Sequence, residues 1–124
     1  MPNPAPGFQR FPRSHIVTRP AGRRVRVTLD GEVLADSRNA IEMLEGAHAP
    51  VYYLPREDVR MARFERSNHV THCPFKGDAT HYSLAGGPQN LAWSYEQPYD
   101  EMQDIRGLVA FYPKRVDAIG VSND

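Results

Sequence analysis

The chain has 124 residues, and its 15 basic and 15 acidic side chains cancel. A chain of this length is expected to form one domain with its own core, and its single cysteine excludes an internal disulfide. With no net charge and no apolar run near the ~20 residues of a membrane span, we expect a cytoplasmic protein without nucleic-acid or membrane partners.

The first 22 residues are predicted to form an extended or flexible N-terminal arm, and residues 23–124 to form the domain. Residues 1–13 contain four prolines, with Phe8 and Phe11 as the large apolar side chains. This composition is typical of a disordered tail. The alternative is an extended strand that docks its two phenylalanines on the domain or on a second copy.

The segment at 23–36 is predicted to be a β-hairpin. Apolar and polar side chains alternate along its first half, which is the period of a half-buried strand. Asp30-Gly31 is a typical dipeptide of a tight hairpin turn. If these two residues form the loop, Val27 lies opposite Leu34 and both occupy one face of the hairpin.

Two more strands are predicted at 40–44 and 51–54. The first run is too short for periodicity to separate a strand from a helical turn, and we interpret it as a strand. Pro55 ends the second strand, and a turn is followed by strand-like alternation at 59–64. A helix from Pro55 to Glu65, with proline at its first position, is the alternative.

The stretch 71–79 contains the single cysteine within Thr-His-Cys-Pro-Phe-Lys-Gly-Asp-Ala. We interpret it as a corner where the chain passes from one sheet to another. It is followed by a predicted hairpin of residues 79–84 and 91–95. The continuous apolar run at 108–112 is typical of a strand that is covered on both faces.

Several local strings resemble a known family in their order and spacing. These strings are Gly31-Glu32, Ala35-Asp36-Ser37, residues 52–59, residues 71–79, Ala92-Trp93-Ser94-Tyr95 with Pro98, Ile105-Arg106-Gly107 and Val109-Ala110-Phe111-Tyr112. Together they resemble the domain-of-unknown-function 427 family of small bacterial and fungal proteins, from residue 23 to about residue 121. The resemblance implies a mainly β fold with little helix, a β-tent of two small antiparallel sheets that lean together along one edge.

The same family carries the label nucleotidyltransferase-like, which the residues do not support. Two-metal transfer needs two carboxylates two positions apart on a strand, together with a Gly-Ser turn. Asp30 and Glu32 have this spacing but flank a predicted hairpin turn, and Gly-Ser does not occur. We therefore do not expect nucleotidyl transfer, and no cofactor is expected.

A zinc site is the next alternative, because His69, His72, Cys73 and His81 lie within thirteen residues. Adjacent residues of an extended segment point to opposite sides, so His72 and Cys73 cannot readily share one ion. Related tent-shaped domains usually hold zinc with two Cys-x-x-Cys pairs, which this chain lacks. We expect scattered histidines, a buried thiol and no metal site.

Cys73 is also the candidate nucleophile of an enzyme. A thiol needs a cationic neighbour or a base to become a thiolate near neutral pH, and Lys76, His72 and Arg56 are the candidates. In this hypothesis Lys76 lowers the thiol pKa, and a backbone amide near Gly77 stabilises an oxyanion. The alternative is that Cys73 packs as a small hydrophobic residue.

The hypothesis that we prefer is a small-molecule binding domain. The candidate ligand-binding residues are Tyr53, Arg56, Asp58, Cys73, Lys76, Tyr82, Trp93 and Tyr95. The aromatic residues would form flat walls, and Arg56, Asp58 and Lys76 would orient a polar or anionic group. Core packing is the alternative for Trp93 and Tyr95, which share one face of their strand. A protein-interaction module that forms a homodimer through a sheet edge or the arm is a third class.

Overall fold

A computed structural model describes residues 2–124, so Met1 of the predicted arm lies outside the described residues. This part of the chain forms ten β-strands, one short α-helix and four 3-10 helical turns. The helix is α1 (Pro6–Arg10). The strands are β1 (Ile16–Pro20), β2 (Arg24–Leu29), β3 (Glu32–Ser37), β4 (Ile41–Glu45), β5 (Val51–Tyr53), β6 (Phe64–Cys73), β7 (Gly77–Leu84), β8 (Ala92–Ser94), β9 (Val109–Phe111) and β10 (Ala118–Ser122).

Within the described residues these strands form three antiparallel sheets. The first has the order β1-β4-β5, the second β10-β2-β3 and the third β6-β7-β8-β9. The mainly β fold with little helix is therefore confirmed, although three sheets are found where two were predicted. Among residues 2–124, one β-bridge links the first and third sheets, at Leu54 and Val109, which exchange two backbone hydrogen bonds of 2.8 Å.

The hairpin at Asp30-Gly31 is confirmed, and both residues have the positive φ angles that this turn requires. The predicted pairing of Val27 with Leu34 is wrong, because Val27 lies opposite Ala35 and Thr28 lies opposite Val33. Leu34 is thus the extra residue of a β-bulge, and it is fully buried. A bulge inserts one residue into a strand, and the alternation of side chains gave no sign of it.

The next part of the chain is less regular than predicted. The strands at 40–44 and 51–54 are confirmed as β4 and β5, which pair with each other. Residues 55–63 form neither the predicted strand nor the alternative long helix, and β6 begins at Phe64. They contain two 3-10 turns, Arg56–Asp58 and Met61–Arg63, and Val59 between the turns bridges to Ala35 of β3.

The stretch 71–79 is a hairpin turn within one sheet, so its interpretation as a corner between two sheets is wrong. Strand β6 runs into it and β7 leaves it, with Cys73 paired to Gly77 and the Lys76 amide donating to the Cys73 carbonyl (3.2 Å). The sequence analysis missed β6 because this strand lies at a sheet edge. Its residues are mostly exposed and show no apolar alternation.

The third sheet is buried on both faces along its inner strands. The predicted hairpin of β7 and β8 is confirmed, and β9 is covered on both sides as its apolar run predicted. Val109 and Phe111 pack into one apolar cluster beneath the second sheet, whereas Ala110 packs into another cluster with Tyr53 and Tyr95. This sheet is therefore the central layer of the fold.

The N-terminal residues pack against the domain. The Asn3 amide donates to Asp100, and the Gly7 amide donates to the Pro74 carbonyl (2.8 Å). Phe8 meets Phe75 edge to face with a centroid distance of 5.0 Å, while Phe11 is exposed. After α1, strand β1 pairs along the edge of β4.

No helix within residues 2–124 is long and apolar enough to cross a membrane.

A methyl group at position 7 should detach α1 from the hairpin turn. A Cβ built on Gly7 would lie 2.8 Å from both the Pro74 carbonyl oxygen and a ring carbon of Phe75, and the backbone oxygen cannot rotate away. We therefore expect tryptic cleavage after Arg10 to be clearly faster in Gly7→Ala than in the parent protein.

The control for this prediction is Gly120→Ala, whose added Cβ would meet nothing within 4 Å. Equal cleavage rates in the parent and in both variants would show that α1 is not docked as described.

Candidate functional site

The candidate ligand-binding residues fall into four separate places in the structure. Tyr53, Cys73, Trp93 and Tyr95 belong to one apolar cluster, Lys76 pairs with Glu45, Arg56 and Tyr82 belong to a polar network, and Asp58 bonds to Ser37 instead. The structure therefore does not bring the eight residues into one pocket.

Tyr53 and Tyr95 are core residues rather than walls of an open pocket. Tyr53 is only 2 % exposed, and burial raises the pKa of both phenol groups well above the ordinary value. Their hydroxyl groups are therefore neutral at physiological pH. Trp93 is half-buried and meets the Tyr53 ring edge to face at a centroid distance of 6.2 Å.

The groups expected to activate Cys73 are engaged elsewhere. The Lys76 ammonium is largely buried and lies 2.8 Å from Glu45 Oε1, which neutralises its charge. His72 Nδ1 lies 2.8 Å from Asp78 Oδ1, on the residue that it faces across the hairpin. Cys73 itself is half-buried against an apolar cluster. This arrangement fits a packed thiol better than a thiolate nucleophile.

Arg56 and Asp58 do not pair with each other. Asp58 accepts a hydrogen bond from the Ser37 hydroxyl (2.7 Å). The Arg56 guanidinium extends in another direction, toward β7 and β8.

Arg56 forms the centre of the polar network. Its Nε donates to the Gly107 carbonyl (2.7 Å), and its Nη2 lies 2.9 Å from Glu96 Oε2. The same Nη2 is 3.2 Å from both the Tyr82 hydroxyl and Ser94 Oγ. One side chain thus joins two strands of the third sheet to the loop before β9, and it also lies over the Tyr82 ring.

The Glu96 carboxylate has a donor at each available position. Oε2 accepts from the Tyr82 hydroxyl (2.8 Å) as well as from Arg56, while Oε1 accepts from Thr80 (3.1 Å) and lies 3.3 Å from Arg66 Nη2. Burial alone would raise the pKa of Glu96, but these hydrogen bonds and the two guanidinium charges outweigh it and hold the pKa below the ordinary value. The carboxylate is therefore ionised and fixed in position.

A polar cleft of about 620 Å³ opens beside this carboxylate. We call it the Arg66 cleft; its walls include Arg66, His72, Asp78, Thr80, Glu96 and Tyr99. The Arg66 side chain is 66 % exposed, and only one of its nitrogen atoms contacts Glu96 and Thr80. A guanidinium group has five N–H donors, so most of the hydrogen-bonding capacity of Arg66 remains for a ligand.

Sequence reasoning missed the two charged residues that define this cleft. Arg66 lies on the unrecognised edge strand β6, and Glu96 follows β8 just beyond the predicted strand at 91–95. The polar side chains of Thr80 and Ser94, which face each other on paired strands, were the available signal. Polar residues on the inner face of a predicted hairpin indicate a buried polar group.

The histidines considered for a zinc site are divided between two places. His69 and His81 have ring centroids 4.6 Å apart, whereas His72 pairs with Asp78. His81 is buried, its Nε2 lies 2.8 Å from the Tyr112 hydroxyl, and burial lowers its pKa. Within residues 2–124 no three His, Cys, Asp or Glu side chains are arranged to hold a metal ion.

The fold and the cleft together define a small, mainly β domain with a preorganised polar site on its central sheet. The sequence profile of a family described as a domain of unknown function, DUF427, matches residues 17–122. This match spans most of the chain, and the protein belongs to that family. No curated protein matches the sequence.

Replacement of Glu96 should weaken the fold and change its response to acid. Glu96→Gln removes the charge that holds two arginines, and we expect a loss of about 1–2 kcal/mol in the free energy of unfolding at neutral pH. The folded pKa of Glu96 is lower than its unfolded value of about 4.3. The stability that ionised Glu96 contributes to the folded protein is therefore fully present above the unfolded pKa. It is lost as the pH falls through the folded pKa.

Urea titrations between about pH 3 and pH 7 measure this effect. The variant should lose less stability toward low pH than the parent protein does. Glu57→Gln is the matched control, because Glu57 is exposed. If both variants gave the same acid profile, Glu96 would not have the pKa shift that we assign to it.

Proposed function

We propose that this domain binds a small anionic molecule in the Arg66 cleft. The observation that carries the proposal is the pairing of Arg66 with Glu96. Most N–H donors of the Arg66 guanidinium group are free for a ligand, while the Glu96 carboxylate, which already accepts from other donors, holds the group in place. Because each oxygen of Glu96 already has two donors, the carboxylate has little capacity left for a ligand. Its role in the proposal is to position Arg66.

The chemistry of the cleft favours an anion that accepts several hydrogen bonds. Planar guanidinium groups match carboxylates and phosphates through two parallel N–H donors. His72 also lies in the wall of the Arg66 cleft. Its Nδ1 contacts Asp78, and its Nε2 is not used in that contact.

The size of the cleft also supports a small molecule. A volume of about 620 Å³ lies within the range of about 300–1,000 Å³ that small-molecule sites usually occupy. The side chain of Tyr99 contributes an aromatic surface beside His72, at a centroid distance of 6.3 Å. The proposal thus keeps the expected polar or anionic ligand but transfers it from the aromatic cluster to the Arg66 cleft.

An interaction module that uses the β6 edge is less well supported. Exposed edges that accept another strand are usually regular, whereas β6 has an irregular register between Arg66 and Val70. Bulged and charged edge strands discourage pairing with a second chain. Val70 is exposed on this strand, but it is a single apolar side chain.

Thermal-shift measurements with inorganic phosphate, succinate and neutral ribose test the proposal. An anion that binds only the folded state should raise the Tm, and ribose should not. Loss of the charge-assisted hydrogen bonds should weaken anion binding to Arg66→Gln by about tenfold or more.

The matched control is Arg13→Gln, which removes the same charge at an exposed position outside the cleft. Circular dichroism establishes that both variants are folded. The proposal would be contradicted if an anion raised the Tm equally in the parent protein and in both variants. It would also be contradicted if ribose raised the Tm as much as the anions do.

A further inference from the structure

A second opening lies where the first and third sheets separate. Beyond the bridge between Leu54 and Val109, the same antiparallel register would set Tyr52 opposite Phe111 and Pro50 opposite Pro113. Proline has no backbone N–H group and cannot extend a ladder of hydrogen bonds. The two strands diverge, and a groove of about 390 Å³ lies between them.

We call this opening the seam groove. Its walls include Tyr52, Trp93, Phe111, Pro113, Asp117 and Ile119. It shares no residue with the walls of the Arg66 cleft. The two openings are therefore separate sites with different chemistry.

The aromatic walls of the seam groove are held by contacts outside it. The Trp93 ring packs against Tyr112 at a centroid distance of 4.4 Å and against Tyr53 on another side. The Tyr52 hydroxyl donates to Glu42 (3.1 Å), and Phe111 is buried in the core. Rings fixed in this way form a binding surface before any ligand arrives.

The charge of the groove is negative. Asp117 is the charged residue in its wall, and its Oδ2 accepts from the Asp30 amide (2.7 Å), which holds the carboxylate at the rim. Arg115 is directed elsewhere, over the Tyr112 ring and toward the Asn90 carbonyl. Two basic residues, Arg19 and Arg23, lie beyond the Tyr52 hydroxyl and outside the wall of the groove, beside the Glu42 carboxylate that pairs with Arg19.

We propose that the seam groove binds a small organic ammonium cation. The faces of tryptophan and tyrosine rings, here Trp93 and Tyr52, attract cations through their quadrupoles, and methylated ammonium groups combine positive charge with an apolar surface. Asp117 supplies the opposite charge at the rim. A free anion would meet this carboxylate and no basic group in the wall, so the seam groove and the Arg66 cleft select ligands of opposite charge.

The chain provides its own reporter for the test, because Trp93 is its single tryptophan. Choline is the probe, and its neutral isostere, in which carbon replaces the ammonium nitrogen, is the reference ligand. Choline should change the Trp93 fluorescence in a saturable way. The neutral isostere should bind at least about fivefold more weakly, because it lacks the cation–π attraction.

Two charge variants establish the role of Asp117. Asp117→Asn keeps an oxygen acceptor for the Asp30 amide and should weaken choline binding about two- to fivefold, as expected for an exposed opposite charge. Asp104→Asn, which removes an exposed carboxylate outside the groove, should leave choline binding unchanged. Added salt should weaken the binding of choline but not of the isostere.

Three results would overturn this inference. They are a fluorescence that does not saturate with choline, an isostere that binds as well as choline, and equal effects of the two aspartate variants. A Trp93 signal that depends on protein concentration without choline would instead assign the groove to contact with a second copy. Circular dichroism of each variant separates loss of binding from loss of fold.

Discussion

The contact between Arg56 and Glu96 organises the polar side of this molecule. A guanidinium group and a carboxylate are about one-third exposed each and lie 2.9 Å apart at the surface of the central sheet. Isolated pairs of this kind contribute little to stability. Here each partner also bonds to other groups, so the pair fixes the Gly107 loop, the Tyr82 hydroxyl and Arg66 in one network.

The two proposed sites occupy places where regular packing ends. Thr80 lines the Arg66 cleft and pairs across the third sheet with the buried Ser94, so polar side chains stand at this point of an otherwise largely apolar sheet interior. At the seam, the pairing of the first and third sheets ends after the bridge between Leu54 and Val109, and Pro50 and Pro113 cannot extend it. A rigid central sheet with openings at its margins is the usual way in which a small β domain positions ligand-binding groups.

Much of the fold could be predicted from local patterns, because those patterns report on burial of one strand at a time. The alternation before Asp30-Gly31 and the apolar run at 108–112 both specify strands that the structure contains. Strand β6 gave no such signal, since an exposed edge strand has no apolar face. The bulge at Leu34 depends on tertiary packing, which alternation cannot describe.

The site was harder to predict than the fold for a related reason. Aromatic residues are obvious candidates for the walls of a ligand pocket, yet Tyr53 and Tyr95 fill the core. Arg66 and Glu96 are charged residues of an ordinary kind, and their importance comes from strands that are distant in sequence but adjacent in space. The seam groove between β5 and β9 likewise depends on the register of two strands that are distant in sequence, which would place Pro50 opposite Pro113.

Chemical-shift mapping would show whether an anion binds next to Arg66. Titration of isotope-labelled protein with succinate, followed through backbone amide signals, would locate the bound anion. We expect saturable changes centred on Gly77, Thr80 and Tyr99, which line the Arg66 cleft. Changes centred instead on the cluster of Tyr53, Cys73 and Tyr95, or spread evenly over the surface arginines, would show that the anion does not bind next to Arg66.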